Sequence, residues 1–245
     1  MAEKDKLPMP ATSPISKIRV IEYMRKLGKL PVSMKRKVLD FLETIDRIDD
    51  AEIEQIKNII ELEMGPEKAK PIVEEFTERF WKDGGDYASR QLKKLGITLE
   101  IPHEITLAIV DREILEQIKG LQLDLVKGLS EEIKKKIAYE LREGWMLGES
   151  IPKLKNRIIN VAEMGKRRAE MIARTESTRV FNRAAFERYS AVNIKKWRWL
   201  AAMDERTCPV CMSKHGKTFS GASQLPPHGS HVNCRCTIIP NILKT

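Results

Sequence analysis

The sequence predicts a mainly α-helical protein that ends in a small zinc-stabilised β module, α+β overall. Three observations lead there. Charged residues make up 32% and aromatics only 6% of the 245 residues, a balance typical of soluble helical chains. Apolar residues recur at helical spacing through most of the chain up to Tyr189. All four cysteines fall in the 29 residues from Cys208 to Cys236, where helical periodicity gives way to short alternating runs.

Met1 to Pro14 carries Pro8, Pro10 and Pro14 among charges, without an apolar run, and is expected to be a flexible lead-in. The expected setting is cytosolic, where thiols stay reduced and favour a metal over disulfides. No stretch approaches the roughly 20 apolar residues of a membrane span. Ile15 to Leu27 predicts a helix stopped by Gly28, and a second follows Pro31 with Val38, Leu39, Leu42 and Ile45 on one face. Asp49 and Asp50 can cap a third through Met64, striped by Ile53, Ile56, Ile59 and Ile60 and ended by Gly65-Pro66. A fourth runs from Pro66 to Trp81, and Gly84-Gly85 separates it from a fifth near Leu95, completing an N-terminal helical domain over 15–104. Ile97, Leu99 and Ile101 alternate before Pro102 and predict a short strand or extended linker, where the domain boundary is placed. His103 there has no second ligand type nearby and reads as a surface residue.

The central helical part spans 105–196. Asp111 to Leu125 predicts one helix. Ser130 with Glu131 and Glu132 predicts the capped start of another, which turns Ile133, Ile137, Ala138 and Leu141 inward. Gly144 to Ser150 makes a turn, Ser150-Ile151-Pro152 opens a helix to about Val161, and the last runs from Gly165 to Tyr189. Met164, Met171, Thr175, Thr178, Asn182, Phe186 and Tyr189 share its packing face. Its basic residues, from Lys166 to Arg188, are spread around the circumference, which argues against a helix that reads a DNA groove and for pairing with Glu170, Glu176 and Glu187. Lys35-Arg36-Lys37 likewise reads as a solvated turn. Residues 152–245 nonetheless hold 18 Lys+Arg against 6 Asp+Glu in a chain of net charge +9, so the N-terminal part is slightly acidic. That asymmetry suits a polyanion or an acidic surface beside the C-terminal half.

Residues 197–245 read as a small β module: Trp197-Arg-Trp199, Gly216-Lys-Thr-Phe219 and Cys236-Thr-Ile-Ile239 are its strands. So short a segment needs a staple. Cys208-x-x-Cys211 is a metal knuckle, His231-x-x-Cys234 repeats its spacing, and Cys234-x-Cys236 is a tighter pair. Five donors compete for four places, with Cys208, Cys211 and Cys234 preferred and either His231 or Cys236 completing the shell. His228 and His215 are weaker candidates. Four soft ligands close the coordination sphere, so the expectation is a structural zinc and no enzymatic activity. A zinc-dependent nuclease has no H-E-x-x-H in its favour, and the only acids near the first knuckle are Asp204 and Glu205.

Ala173-Arg174-Thr175-Glu176, Trp197-Arg-Trp199, Asp204-Glu-Arg-Thr-Cys208-Pro-Val-Cys211, Gly216-Lys-Thr-Phe219, Pro226-Pro-His228 and His231-Val-Asn-Cys234-Arg-Cys236 follow one another in order. Together with the Gly144 to Pro152 turn, this order resembles the phage Mu F-like head morphogenesis family, the minor head proteins of tailed phages and prophages, over about 105–240. The family places a single histidine after its Pro-Pro; here Gly229-Ser230 separate His228 from His231. The resemblance implies a minor capsid component in the virion interior, with portal, major capsid and scaffold proteins as partners, and double-stranded DNA against the basic C-terminal half. The acidic N-terminal part is expected to dock on protein. Trp197 and Trp199 are expected to fill a small core rather than stack on bases, and Arg174, Thr175 and Glu176 to join the helix to the metal module rather than to catalyse. A cellular zinc-ribbon nucleic-acid-binding protein would share the charge and the metal but not the ordered signature.

Overall fold

The computed structural model describes residues 13–99 and 101–242; residues 1–12 of the lead-in expected over 1–14 lie outside them, as does the side chain of His103. Five long helices, α1 (Lys17–Leu42), α2 (Asp50–Met64), α3 (Pro66–Lys94), α4 (Ile101–Met146) and α5 (Ile151–Ala191), precede a C-terminal segment. That segment holds β1 (Lys196–Leu200), a short α6 (Pro209–Lys214), β2 (Thr218–Ser220) and β3 (Thr237–Pro240). The fold class is the one the sequence predicts.

The helices are fewer and longer than their punctuation suggests. Gly28 and Pro31 lie inside α1, because Gly28 marks a close approach: a Cβ there would sit 3.2 Å from Cγ of Glu170. Pro31 forfeits a main-chain hydrogen bond, which the buried Leu27, Leu30, Met34 and Val38 around it offset. Gly84-Gly85 do not divide α3, since a Cβ on Gly84 would stand 2.2 Å from the carbonyl oxygen of Phe181. Ser130 caps nothing: it is buried within α4, where Val126, Leu129, Ile133, Ile137 and Leu141 run past it as one unbroken apolar stripe. Gly165 is internal to α5, within 3.0 Å of the Ile133 side chain for an added Cβ, so the two helices expected over 151–189 are one. Residues 97–99 form no strand, and α4 starts at Ile101, because a proline in the first helical turn loses no hydrogen bond the helix would have made. α2 follows its signals closely. Asp49 accepts from the N–H groups of Ala51 and Glu52, the Glu52 carboxylate accepts from the Asp49 N–H, and Gly65 ends the helix.

The chain divides into two compact units. One holds residues 21–75 and 119–173, with Tyr23, Met34, Leu42, Ile56, Ile60, Ile133, Ile137 and Ile158 in its core. A buried hydrogen bond from Tyr23 Oη to Gln122 Oε1, 2.8 Å, joins α1 to α4 within it. The turn from α4 to α5 passes through Gly148, at φ 68°, and is clamped by Arg157, which donates to Glu149 and Glu140.

The second unit holds residues 76–118 and 174–242 together with the described residues up to 20. Phe76, Phe80, Tyr87, Phe181, Ala185 and Tyr189 pack its helices, with the Tyr87 and Phe181 rings 5.4 Å apart. Its sheet has the order β2-β1-β3, antiparallel throughout, with Trp197 opposite Phe219 and Trp199 opposite Ile238. Trp197 and Trp199 are both buried: Trp197 stacks on Phe219 at 5.1 Å, and Lys214 Nζ lies 5.0 Å over the Trp199 ring. These tryptophans therefore fill the small core beneath the cysteine loops.

Candidate metal centre

Cys208 is the N-cap of α6. Its side chain accepts the backbone N–H of Cys211 at 3.3 Å, the amide-to-sulfur bond that lets a Cys-x-x-Cys turn grip an ion. The second knuckle turns at Asn233, which takes a left-handed conformation, φ 63°, that asparagine tolerates better than most side chains. This turn brings His231 Nε2 to 3.1 Å from Cys208 Sγ and 3.2 Å from Cys211 Sγ. Cys211 and Cys234 sulfurs are 3.8 Å apart, too far for a disulfide, and all four cysteines are free.

Cys208, Cys211, His231, Cys234 and Cys236 are thus close together and can hold a metal ion. They form two overlapping triads, Cys208-Cys211-His231 and Cys211-Cys234-Cys236, with donor atoms within 4.8 Å in each and Cys211 common to both. His215 and His228 stand outside the cluster. His215 Nδ1 accepts the Ala201 N–H at 3.2 Å, and the exposed His228 is held toward its neutral form by partial desolvation and by the Arg179 charge.

The donors suit a tetrahedral soft ion. Sulfurs at about 2.3 Å from a zinc stand about 3.8 Å from one another, the Cys211 to Cys234 separation. His231 Nδ1 faces its neighbour's carbonyl, Val232 O, at 2.6 Å, which leaves Nε2 aimed at the sulfurs, the arrangement of a metal-ligating histidine. The Cys211 amide draws the Cys208 thiol below its ordinary value, and hydrogen bonding from Cys236 brings Cys234 down to about 6. Burial and the neighbouring Cys234 push Cys211 up to about 12, and contact with Cys234 together with burial raises Cys236 further.

Helix α5 anchors the second knuckle. Thr175 Oγ1 accepts the Asn233 N–H at 3.0 Å, and Thr178 Oγ1 donates to the Cys234 carbonyl at 2.7 Å. Asn182 Nδ2 donates to the carbonyls of Cys236 at 3.0 Å and Pro226 at 3.3 Å. Arg174 reaches Asn233 Oδ1 at 3.4 Å. Glu176 is buried, pairs with Arg179 at 3.2 Å through one oxygen, and leaves the other, Oε2, without a hydrogen-bond partner. Arg174 and Thr175 thus join the helix to the metal module as the signature led one to expect, whereas Thr178 and Asn182 had a place on the packing face but no task. Their polarity on a buried stripe was the available signal, since such groups need partners. The Asp204 to Arg235 ion pair, which links the two knuckles, carried no signal at its 31-residue separation.

Residues 135–239 match the family described as Phage Mu protein F like protein. This segment, less than half of the chain, resembles the phage Mu F-like family. The Mu F-like segment contains α5, the sheet and both cysteine knuckles, and at the level of the family it supports a phage head morphogenesis protein. An uncharacterized protein of Haemophilus influenzae is 29% identical over 135 residues, which cover 52% of this chain and 30% of that relative. The chain therefore spans less than a third of that relative's length. No solved structure matches, and no helix among the described residues is long and apolar enough to cross a membrane.

Proposed function

We propose that this chain is a minor head protein of a tailed phage or prophage, a non-catalytic component that joins the procapsid with the portal and capsid or scaffold proteins and resides inside the virion. The observation that supports this reading best is the Mu F-like match over 135–239, the segment that carries the ordered signature and the metal clasp. The ion is zinc, held by Cys208, Cys211, His231 and Cys234, with Cys236 beside them as a hydrogen-bond donor to the Cys234 sulfur. Contacts of 3.1, 3.2 and 3.8 Å link those four donors in a chain, and Cys236 shares a triad with Cys211 and Cys234. When bound, zinc supplies cross-linking of two loops and no open coordination position. The basic C-terminal half meets packaged DNA through phosphates, without reading sequence.

Mass spectrometry of purified particles, together with co-purification of the full chain with portal and procapsid components, tests the assignment. The chain is expected in mature particles at low copy, and its absence from both particles and procapsids would overturn the reading. DNA binding is expected to weaken steeply with salt and to be indifferent to sequence.

A further inference from the structure

We infer that Thr178 and Asn182 of α5 are positioning residues for the metal centre, holding the Cys234-Arg235-Cys236 backbone so that its thiols face Cys211. The inference rests on the metal-site reading above. Its geometrical basis is a match of two periods. Thr178 and Asn182 are one helical turn apart, about 6 Å along the axis at 1.5 Å per residue. Cys234 and Cys236 are two residues apart in the segment that leads into β3, a span of about 6–7 Å for extended chain at 3.3 Å per residue. The carbonyls of i and i+2 in such a chain point the same way, so both are presented to the helix. Thr178 takes the first at 2.7 Å and Asn182 the second at 3.0 Å.

The residue between them behaves as the alternation requires. The Arg235 carbonyl accepts from Ser13 Oγ at 3.3 Å instead of facing α5, and its guanidinium pairs with Asp204. Side chains of i and i+2 also share a face, which is how Cys234 and Cys236 both come within reach of Cys211. The Thr178 hydroxyl has a single proton to donate. The alternative acceptor, the Arg174 carbonyl of its own helix, lies at 3.4 Å, so the 2.7 Å bond to Cys234 takes the proton. Asn182 is buried, and the two protons of its amide are shared among three carbonyls: Thr178 of its own helix at 2.9 Å, Cys236 at 3.0 Å and, at the longest distance, Pro226 at 3.3 Å, so the loop segments are tied to one helical turn. Holding these carbonyls fixes the backbone torsions on either side of Arg235, and with them the directions of two sulfurs.

Co2+ is a suitable probe, because tetrahedral thiolate coordination gives it visible and near-ultraviolet bands. In the full chain, Thr178→Val is expected to weaken Co2+ binding, measured by chelator competition, by about 10–100-fold, the usual effect of losing an outer-shell partner. Thr178→Ser restores the hydroxyl and is expected to return affinity to about wild type. Asn182→Ala, acting on the other carbonyl, is expected to weaken binding in the same direction, and it serves as the test if Thr178→Val fails to fold by circular dichroism. Thr77→Val removes an equally buried hydroxyl that has no hydrogen-bond partner among the described residues and is expected to leave Co2+ affinity unchanged. Wild-type chain that binds Co2+ with thiolate bands, beside Thr178→Val or Asn182→Ala that bind it as tightly, overturns the inference and leaves the metal reading standing. Wild-type chain that shows no thiolate bands overturns both.

Discussion

Arg235 forms a two-pronged ion pair with Asp204, tying the loop of Cys234 and Cys236 to the turn that leads into Cys208. The same carboxylate accepts from the Arg206 backbone and the Thr207 hydroxyl, so it organises the first knuckle while gripping the second. Arg235 holds the Asp204 carboxyl well below the usual carboxylate range.

Asp204→Asn keeps the shape and removes the charge. Both partners are partly exposed, so the expected loss at pH 7 is about 1 kcal/mol rather than the full value of a buried pair. A depressed carboxylate stabilises the fold above its unfolded value of about 3.9, and that contribution disappears as pH falls through the folded value. Thermal melts should therefore separate wild type from variant at pH 7 and converge in strong acid. A gap that persists unchanged at the acid end would mean that the charge is not what Asp204 contributes.

The donors differ in how much the site depends on them. Cys211 belongs to both triads, whereas Cys236 belongs to one. Cys211→Ser is expected to abolish bound zinc, while Cys236→Ser retains close to one per chain with weakened affinity, as read by elemental mass spectrometry after purification without chelator. Equal loss in both variants would put Cys236 in the coordination shell.

Chelation of the wild-type chain provides a regional test. The small sheet gains cohesion from the loops the ion would join, while the unit built from residues 21–75 and 119–173 has its own apolar core. Hydrogen exchange is expected to accelerate across 204–236 on adding chelator and to stay unchanged at Ile56, Ile60 and Ile137. Uniform loss of protection would show that the metal supports the whole chain.

The cysteine knuckles, the capping of α2 and the three strands were legible because each is a local pattern whose physics is complete within a few residues. Glycine was misleading for the same reason. Gly28 and Gly84 read locally as breaks and Gly165 as a start, but Gly84 is where the Phe181 backbone comes too close for a Cβ, and at Gly28 and Gly165 the side chains of Glu170 and Ile133 stand 3.2 and 3.0 Å from where a Cβ would be, facts that belong to the packing and not to the segment. Ser130 was overridden by the apolar stripe around it. The α5 contacts with Asn233, Cys234 and Cys236 span 54–58 residues and needed the fold to appear.

Gly84 and Gly85 make the packing point testable. An added methyl at Gly84 meets the Phe181 main-chain oxygen, which cannot move without shifting α5, whereas at Gly85 it meets the far end of the Arg188 side chain at 3.2 Å. Gly84→Ala is expected to cost about 3 kcal/mol in urea unfolding. Gly85→Ala is expected to stay within about 1 kcal/mol of wild type, helix propensity favouring alanine. Equal and small effects would show that α3 and α5 are not in close contact at Gly84.

Glu176 gives the opposite pH signature to Asp204. Burial raises its carboxyl to about 7, and the Arg179 charge opposes that rise only in part. A carboxyl with a raised folded value binds more protons in the native than in the unfolded state between about pH 4 and 7, so stability falls as pH climbs through that window and levels off above it. Glu176→Gln removes the ionisation and retains polar atoms of the same size. The variant is expected to match wild type near pH 4, where Glu176 is neutral in the fold and still largely protonated in the unfolded chain, and to exceed it by about 1–3 kcal/mol at pH 8. A variant less stable than wild type at pH 8 would assign the Arg179 pair a larger share than burial, and would make Glu176 a partner that this turn of α5 needs charged.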